Sequence, residues 1–211
     1  MKEKIVKCLR LFYRSYIWLF IVLLGLDIFT KQLMMHLPVD EEGHIAKWGF
    51  VNISFTLNDG AAFGIGTGRE DWNRIIYLIV ASLVSIGLTA YLILKRKETK
   101  LFVRAALIMV ITGAIGNTID RIFYGPLQGE TGLFTGKVVD WIDFYWFWHY
   151  IFNIADCCIV IAAFMLIIYF IVGEVKEFNE KRKSEMPQGK VLSKTEKERL
   201  EAENQEEEKS E

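Results

Sequence analysis

The sequence predicts an all-α membrane protein, a bundle of four transmembrane helices with a small extracytoplasmic β-sheet. Three observations predict it. Charged residues make up 24% of the 211, yet long stretches carry none. Those stretches reach the length that a helix needs to cross a hydrocarbon core. The segments between them alternate polar and apolar residues, as strands do.

The first candidate span, residues 16–37, is apolar except for Asp27 and Lys31. Its basic flank (Lys2, Lys4, Lys7, Arg10, Arg14) suits a signal peptide. However, the apolar run meets Asp27 instead of an A-x-A cleavage site, and more spans follow, so it reads as a retained helix. Residues 75–94, twenty uncharged residues between Arg74 and Lys95, form the clearest span. The third, 102–119, includes AALIMVITGAIGNTI, and the fourth, 154–174, includes CCIVIAAFMLIIYFIVG. Residues 1–175 thus form the membrane domain. The charged tail, 176–211, reads as disordered or as a loose solvated helix.

Lys and Arg set the expected orientation. They gather in the N-terminal arm, in KRKETK (95–100) with Arg104, and in Lys176, Lys181, Arg182 and Lys183. In a four-span chain these regions share one side, so both termini are expected in the cytoplasm and segments 38–73 and 120–153 outside. Within the outer segments, VNISFTLN (51–58) sets Val51, Ile53, Phe55 and Leu57 against Asn52, Ser54, Thr56 and Asn58, the period of a strand with one apolar face. VVDWIDF (138–144) is also strand-like, and the aromatics from Trp141 to Tyr150 suit the headgroup zone.

A net charge of −1 gives no basic field for nucleic acid. The three cysteines, Cys8, Cys157 and Cys158, lack metal-ligand spacing. The vicinal pair reads as buried and structural. With three histidines a His-based metal site is not expected, and His149 reads as an interface residue. Ser54 has no His or Lys in an obvious supporting spacing, which argues against a serine nucleophile.

On this topology Asp27, Lys31, Asn58, Asn117, Asp120, Arg121, Asp140, Asp143, Asn153 and Asp156 arrive at one depth, near the outer interface. Charged groups at membrane depth are costly and mark functional sites. Singly, most have plainer readings. Asp27 and Lys31, four apart with the acid first, suit a structural ion pair. Arg121 suits a headgroup anchor, Asn153 or Asp156 an N-cap, and Asp143 the surface. Gly113 and Gly116 suit close helix packing.

Together, DIFTK (27–31), NDGAAFG (58–64), GAIGNTIDR (113–121), VVDWIDF (138–144) and FNIAD (152–156), in that order, resemble the lipoprotein signal peptidase family over roughly residues 16–174. The resemblance implies a four-helix bundle in the bacterial inner membrane, with an outer β-cradle and a periplasm-side aspartyl protease site. It implies prolipoprotein substrates carrying diacylglycerol, cut before the lipidated cysteine, and inhibition by cyclic peptides such as globomycin. Asp140 and Asp156 match the catalytic pair. Asn58, Gly60, Asn117, Asp120, Arg121 and Asn153 match positions that bind substrate or support the site, with Asp27 and Lys31 as supports. No metal or cofactor is implied. Two neighbouring carboxylates in a poorly hydrated site share a proton, so one can activate water while the other protonates the scissile carbonyl.

Two features depart from the family pattern. Residues 125–137 (GPLQGETGLFTGK) stand where a short turn is usual, and the Asp140–Asp156 interval is slightly short. A small ion-coupled carrier is the competing reading, since intramembrane charges also mark ion relays. The uncharged second span and the absence of an inverted repeat argue against it. A non-catalytic membrane scaffold is a third.

Overall fold

The computed structural model describes Val6, Tyr13 and residues 15–60, 70–146 and 148–185. The chain divides into two compact units, Met1–Ile168 and Tyr169–Glu211. Among its described residues, the first holds the sheet, three long helices and the start of a fourth. Of the second, the described part is the remainder of that fourth helix.

The helices are α1 (Ile17–Met34), α2 (Glu70–Leu94), α3 (Leu101–Phe123) and α4 (Ile154–Glu185). All four are long and apolar enough to cross a membrane. α1 falls inside its expected span, stopping at Met34, whereas α2, α3 and α4 overrun theirs, since a helix need not stop where its apolar run does. α2 begins ahead of Arg74, and α3 carries Asp120 and Arg121 in its last turns. The exposed Ile75, Ile79, Leu83, Ile86 and Ile93 on α2 are the surface a helix presents to lipid.

α3 has the longest buried stripe, running through Ile108, Ile111, Thr112, Gly116 and Asp120. Its two glycines set its distance from its neighbours. A Cβ on Gly116 would stand 2.6 Å from Asp27 Oδ2 and 3.0 Å from the Ala155 Cβ. On Gly113 it would run into the Ala155 carbonyl and the Ile159 side chain. Without these side chains α1, α3 and α4 approach closely enough for polar groups to meet.

The strands β1 (His44–Trp48), β2 (Val51–Asn58), β3 (Val138–Asp143) and β4 (Ile151–Phe152) form one antiparallel sheet in that order. β2 has the expected bounds, and its fully buried residues lie on the polar face. Asn52 and Ser54 are buried, whereas Leu57 is exposed. Ser54 is buried where its hydroxyl meets the buried Asp143. The apolar side chains of Ile53 and Phe55 pack on a cluster of Met34, Tyr124 and Val139, which joins the sheet to the ends of α1 and α3.

The segment 125–137 is pinned at its base. Gln128 donates its side-chain amide to the Lys137 carbonyl (2.7 Å) and accepts the Lys137 N–H (2.8 Å). Gly136 runs so close to the Asp120 carbonyl that no Cβ fits.

Candidate active site

Asn153 is where the sheet ends and α4 begins. As the N-cap it accepts the Asp156 N–H on Oδ1 (2.9 Å), while Asp156 Oδ2 accepts the Asn153 N–H (3.2 Å). This reciprocal pair is a capping box with Asn and Asp in place of the usual residues. Asp156 Oδ1 accepts from Asn117 Nδ2 (2.8 Å), so α3 holds the carboxylate from the other side.

Asp140 enters from β3 and is 1% exposed. Asn153 Nδ2 donates to its Oδ1 (2.6 Å) and Asn58 Nδ2 to its Oδ2 (2.9 Å). Asn153 therefore touches both aspartates. Burial, and then the nearby charge of Asp156, push the Asp140 pKa up to about 8, against the opposing effect of the two amide donors. Both carboxylates line a cavity of about 380 Å³, together with Asn58, Asn117, Arg121 and His149.

Lys31 anchors the next layer. Its ammonium reaches Asp27 Oδ2 (2.8 Å), Asp120 Oδ2 (3.0 Å) and Asn117 Oδ1 (3.0 Å), all without exposure of the lysine. Each acid also binds backbone, Asp27 accepting the Ala155 N–H (2.9 Å) and Asp120 the Val139 N–H (3.1 Å). Lys31 thus ties α1 to α3, and its acids reach on to α4 and β3. A cation shared by two carboxylates keeps charge tolerable at this depth.

Arg121 donates to the carbonyls of Gly60 (2.7 Å) and Asn117 (3.0 Å) and lies 5.5 Å from the centre of the Tyr77 ring. Gly60 in turn donates its N–H to Asn58 Oδ1 (2.9 Å), which orients the amide facing Asp140. Asn58 and Gly60 of NDGAAFG therefore join the cluster, and Asp59 lines the cavity. Residues 61–64 lie outside the described residues, as does Cys8.

The ten residues that the family resemblance matched, Gly60 among them, form one connected network. Asp143, read from sequence as a surface residue, is buried instead and accepts from Ser54 (3.0 Å). Strand pairing sets His44 opposite Ser54, with His44 Nδ1 2.7 Å from its hydroxyl, a neighbour that sequence spacing hid. Ser54 is only 3% exposed and gives its proton to Asp143, so this trio braces the sheet. The described Cys157 and Cys158 are free, and Cys158 is buried.

A membrane bundle whose helix ends enclose two amide-held carboxylates beside a cavity has the parts of a membrane-embedded acid–base hydrolase. Comparison with known proteins gives the particular family. The family model described as signal peptidase (SPase) II matches residues 19–172, and the chain belongs to that family. It is 34% identical over 161 residues to a lipoprotein signal peptidase of Clostridioides difficile, covering 76% of this chain and 97% of that one. A lipoprotein signal peptidase of Fusobacterium nucleatum is 34% identical over 170 residues, 80% of this chain and 90% of its own. Among solved structures, a bacterial membrane enzyme determined by the in meso method at 2.3 Å superposes with a TM-score of 0.59 at 27% identity. It covers 84% of this chain and 94% of that enzyme. A second such structure, at 1.9 Å, gives a TM-score of 0.56 at 29% identity, covering 74% and 92%.

Proposed function

We propose that this signal peptidase removes signal peptides from diacylglyceryl-modified prolipoproteins, cutting before the lipidated cysteine with Asp140 and Asp156 as its acid–base pair. The observation that carries this reading is the shared Asn153, whose side chain binds Asp140 and whose cap binds Asp156. Two carboxylates held this way hold one proton between them at neutral pH. The ionised member takes a proton from water as it attacks the scissile carbonyl. The protonated member donates to the carbonyl oxygen, and the tetrahedral intermediate collapses as the departing amine is protonated. Arg121 and Asn58, on the cavity wall, are suited to orienting the peptide and stabilising negative charge.

The site faces the periplasmic side of the inner membrane, with the sheet there and both termini in the cytoplasm. Support comes from the Lys/Arg bias: the N-terminal arm, the α2–α3 turn and the end of α4 are rich in Lys and Arg, whereas Asp120 closes α3 and Asp156 opens α4 at the opposite ends. Substrate lipid chains would lie among the helices. Globomycin, a cyclic peptide, would compete for the same cavity.

The test is cleavage of a diacylglyceryl-modified prolipoprotein peptide by Asp140→Asn and Asp156→Asn proteins. Each should fall by about 10²–10⁴-fold with the chain still folded. Cleavage by both variants at the parent rate would overturn the assignment.

A further inference from the structure

At the other end of the bundle, α1, α2 and α3 enclose a second cavity, of about 580 Å³. Its floor is Ile108 and Ile111 of α3, both buried, with Ile17 and Phe20 of α1 on the wall. Arg96 and Arg104 stand among the lining residues. The cavity reaches as far as Ile115 of α3 but shares no lining residue with the cavity of the aspartates, and its arginine end, near Ile17, is about 21 Å from Lys31 along the α1 axis.

We propose that this cavity binds one anionic glycerophospholipid, its acyl chains against Phe20, Ile108 and Ile111 and its phosphate at Arg96 and Arg104. Three observations support the occupant. The lining is aliphatic and aromatic, which suits a hydrocarbon chain, and the volume is that of a ligand site. The arginine end is built and held in place. Arg104 donates to the Arg96 and Thr99 carbonyls, while Thr99 is buried and donates its hydroxyl to the Lys95 carbonyl (2.8 Å). Charge then selects among amphiphiles. The turn carries Lys95, Arg96, Lys97, Lys100 and Arg104 against Glu98. It repels the basic end of a signal peptide and attracts a phosphodiester with net negative charge. The exposed Arg96 guanidinium suits that phosphate better than an ammonium group does, through paired N–H donors, and the fixed Arg104 adds charge beside it.

The test is native mass spectrometry of the full chain released from detergent after exposure to equimolar dioleoyl phosphatidylglycerol and dioleoyl phosphatidylcholine. These lipids share their chains and differ in net charge. The parent should retain one lipid, phosphatidylglycerol over phosphatidylcholine by about tenfold or more, as two basic groups near a headgroup predict. Arg96→Gln with Arg104→Gln should bring the ratio to about one, whereas Lys97→Gln, equally basic but away from the cavity, should leave it unchanged. Ile93→Trp, on the exposed rim, should reduce retention of both lipids with the arginines intact. Equal retention of the two lipids by the parent would overturn the proposal. So would a preference that survives the double substitution, or one lost equally in Lys97→Gln. The readout is independent of cleavage, so it stands or falls apart from the aspartate assignment.

Discussion

Asn153 and Asp156 each accept the other's backbone N–H, at 2.9 and 3.2 Å respectively, so the turn that starts α4 also fixes a site carboxylate. The cap and the amide donor can be separated by substitution. Asn153→Ser keeps a capping oxygen but loses the donor to Asp140. It should melt within about 0.5 kcal/mol of the parent, because Ser and Asn cap comparably. Its cleavage rate should drop roughly 10-fold or more, the usual value of a hydrogen bond to a charged group. Asn153→Ala should lose the same activity and about 1 kcal/mol of stability besides. Parallel thermal melts and cleavage assays separate the two effects, and full activity in the Ser variant would refute the amide's role.

The buried Lys31 triangle predicts a compensation experiment. Lys31→Met leaves Asp27 and Asp120 facing each other without their cation and should destabilise the fold by about 3–5 kcal/mol. Adding Asp120→Asn removes one of the stranded charges and should recover part of that loss. Denaturant melts of the two proteins check this. No recovery would mean that the lysine acts through packing alone.

The glycines of α3 predict a contrast in stability. Gly116→Ala drives a methyl to 2.6 Å from Asp27 Oδ2 and should cost about 1–3 kcal/mol, with activity falling as the Asp27–Lys31 pair shifts. Gly87→Ala on α2, where a Cβ meets no atom within 4 Å, should stay within about 0.5 kcal/mol of the parent. Equal melting of the two variants would contradict the close approach of α1 to α3.

Asp140 gives the pH dependence a definite sign. Its pKa is raised from an ordinary 3.8 to about 8, so the folded chain holds that proton more tightly than the unfolded one. The stability this group contributes is complete below pH 3.8, declines as pH rises, and is gone above about 8. Melting temperatures should therefore fall more steeply between pH 5 and 8 for the parent than for Asp140→Asn. Cleavage should decline above pH about 8 as the pair loses its shared proton. A parent whose melting temperature rises relative to the variant over that interval would rule out the raised pKa.

Much of this architecture is legible in one dimension where its causes are local. The apolar runs give the four helices, and the i, i+4 spacing gives the Asp27–Lys31 pair. The three-residue step from Asn153 to Asp156 carries the cap. What escapes the sequence depends on pairing across the sheet. His44 meets Ser54 because β1 folds back on β2, and Asp143 is buried because β3 lies on β2's other side. The period of β2 is visible, but the burial of its polar residues is not, since that depends on the partners awaiting Ser54 and Asn58. Tyr77 under Arg121 is likewise invisible, because an apolar span gives no reason to single out one tyrosine.

The clasp between Gln128 and Lys137 has an evolutionary consequence. Its two hydrogen bonds close the neck of the segment beside Asp120, so residues between them can lengthen or diverge without dragging on β3. Closing a longer loop costs little entropy once its ends are tied. That neck is where a lineage can graft new surface beside an ancient peptidase, and where a guest domain can be spliced in with the chemistry left undisturbed.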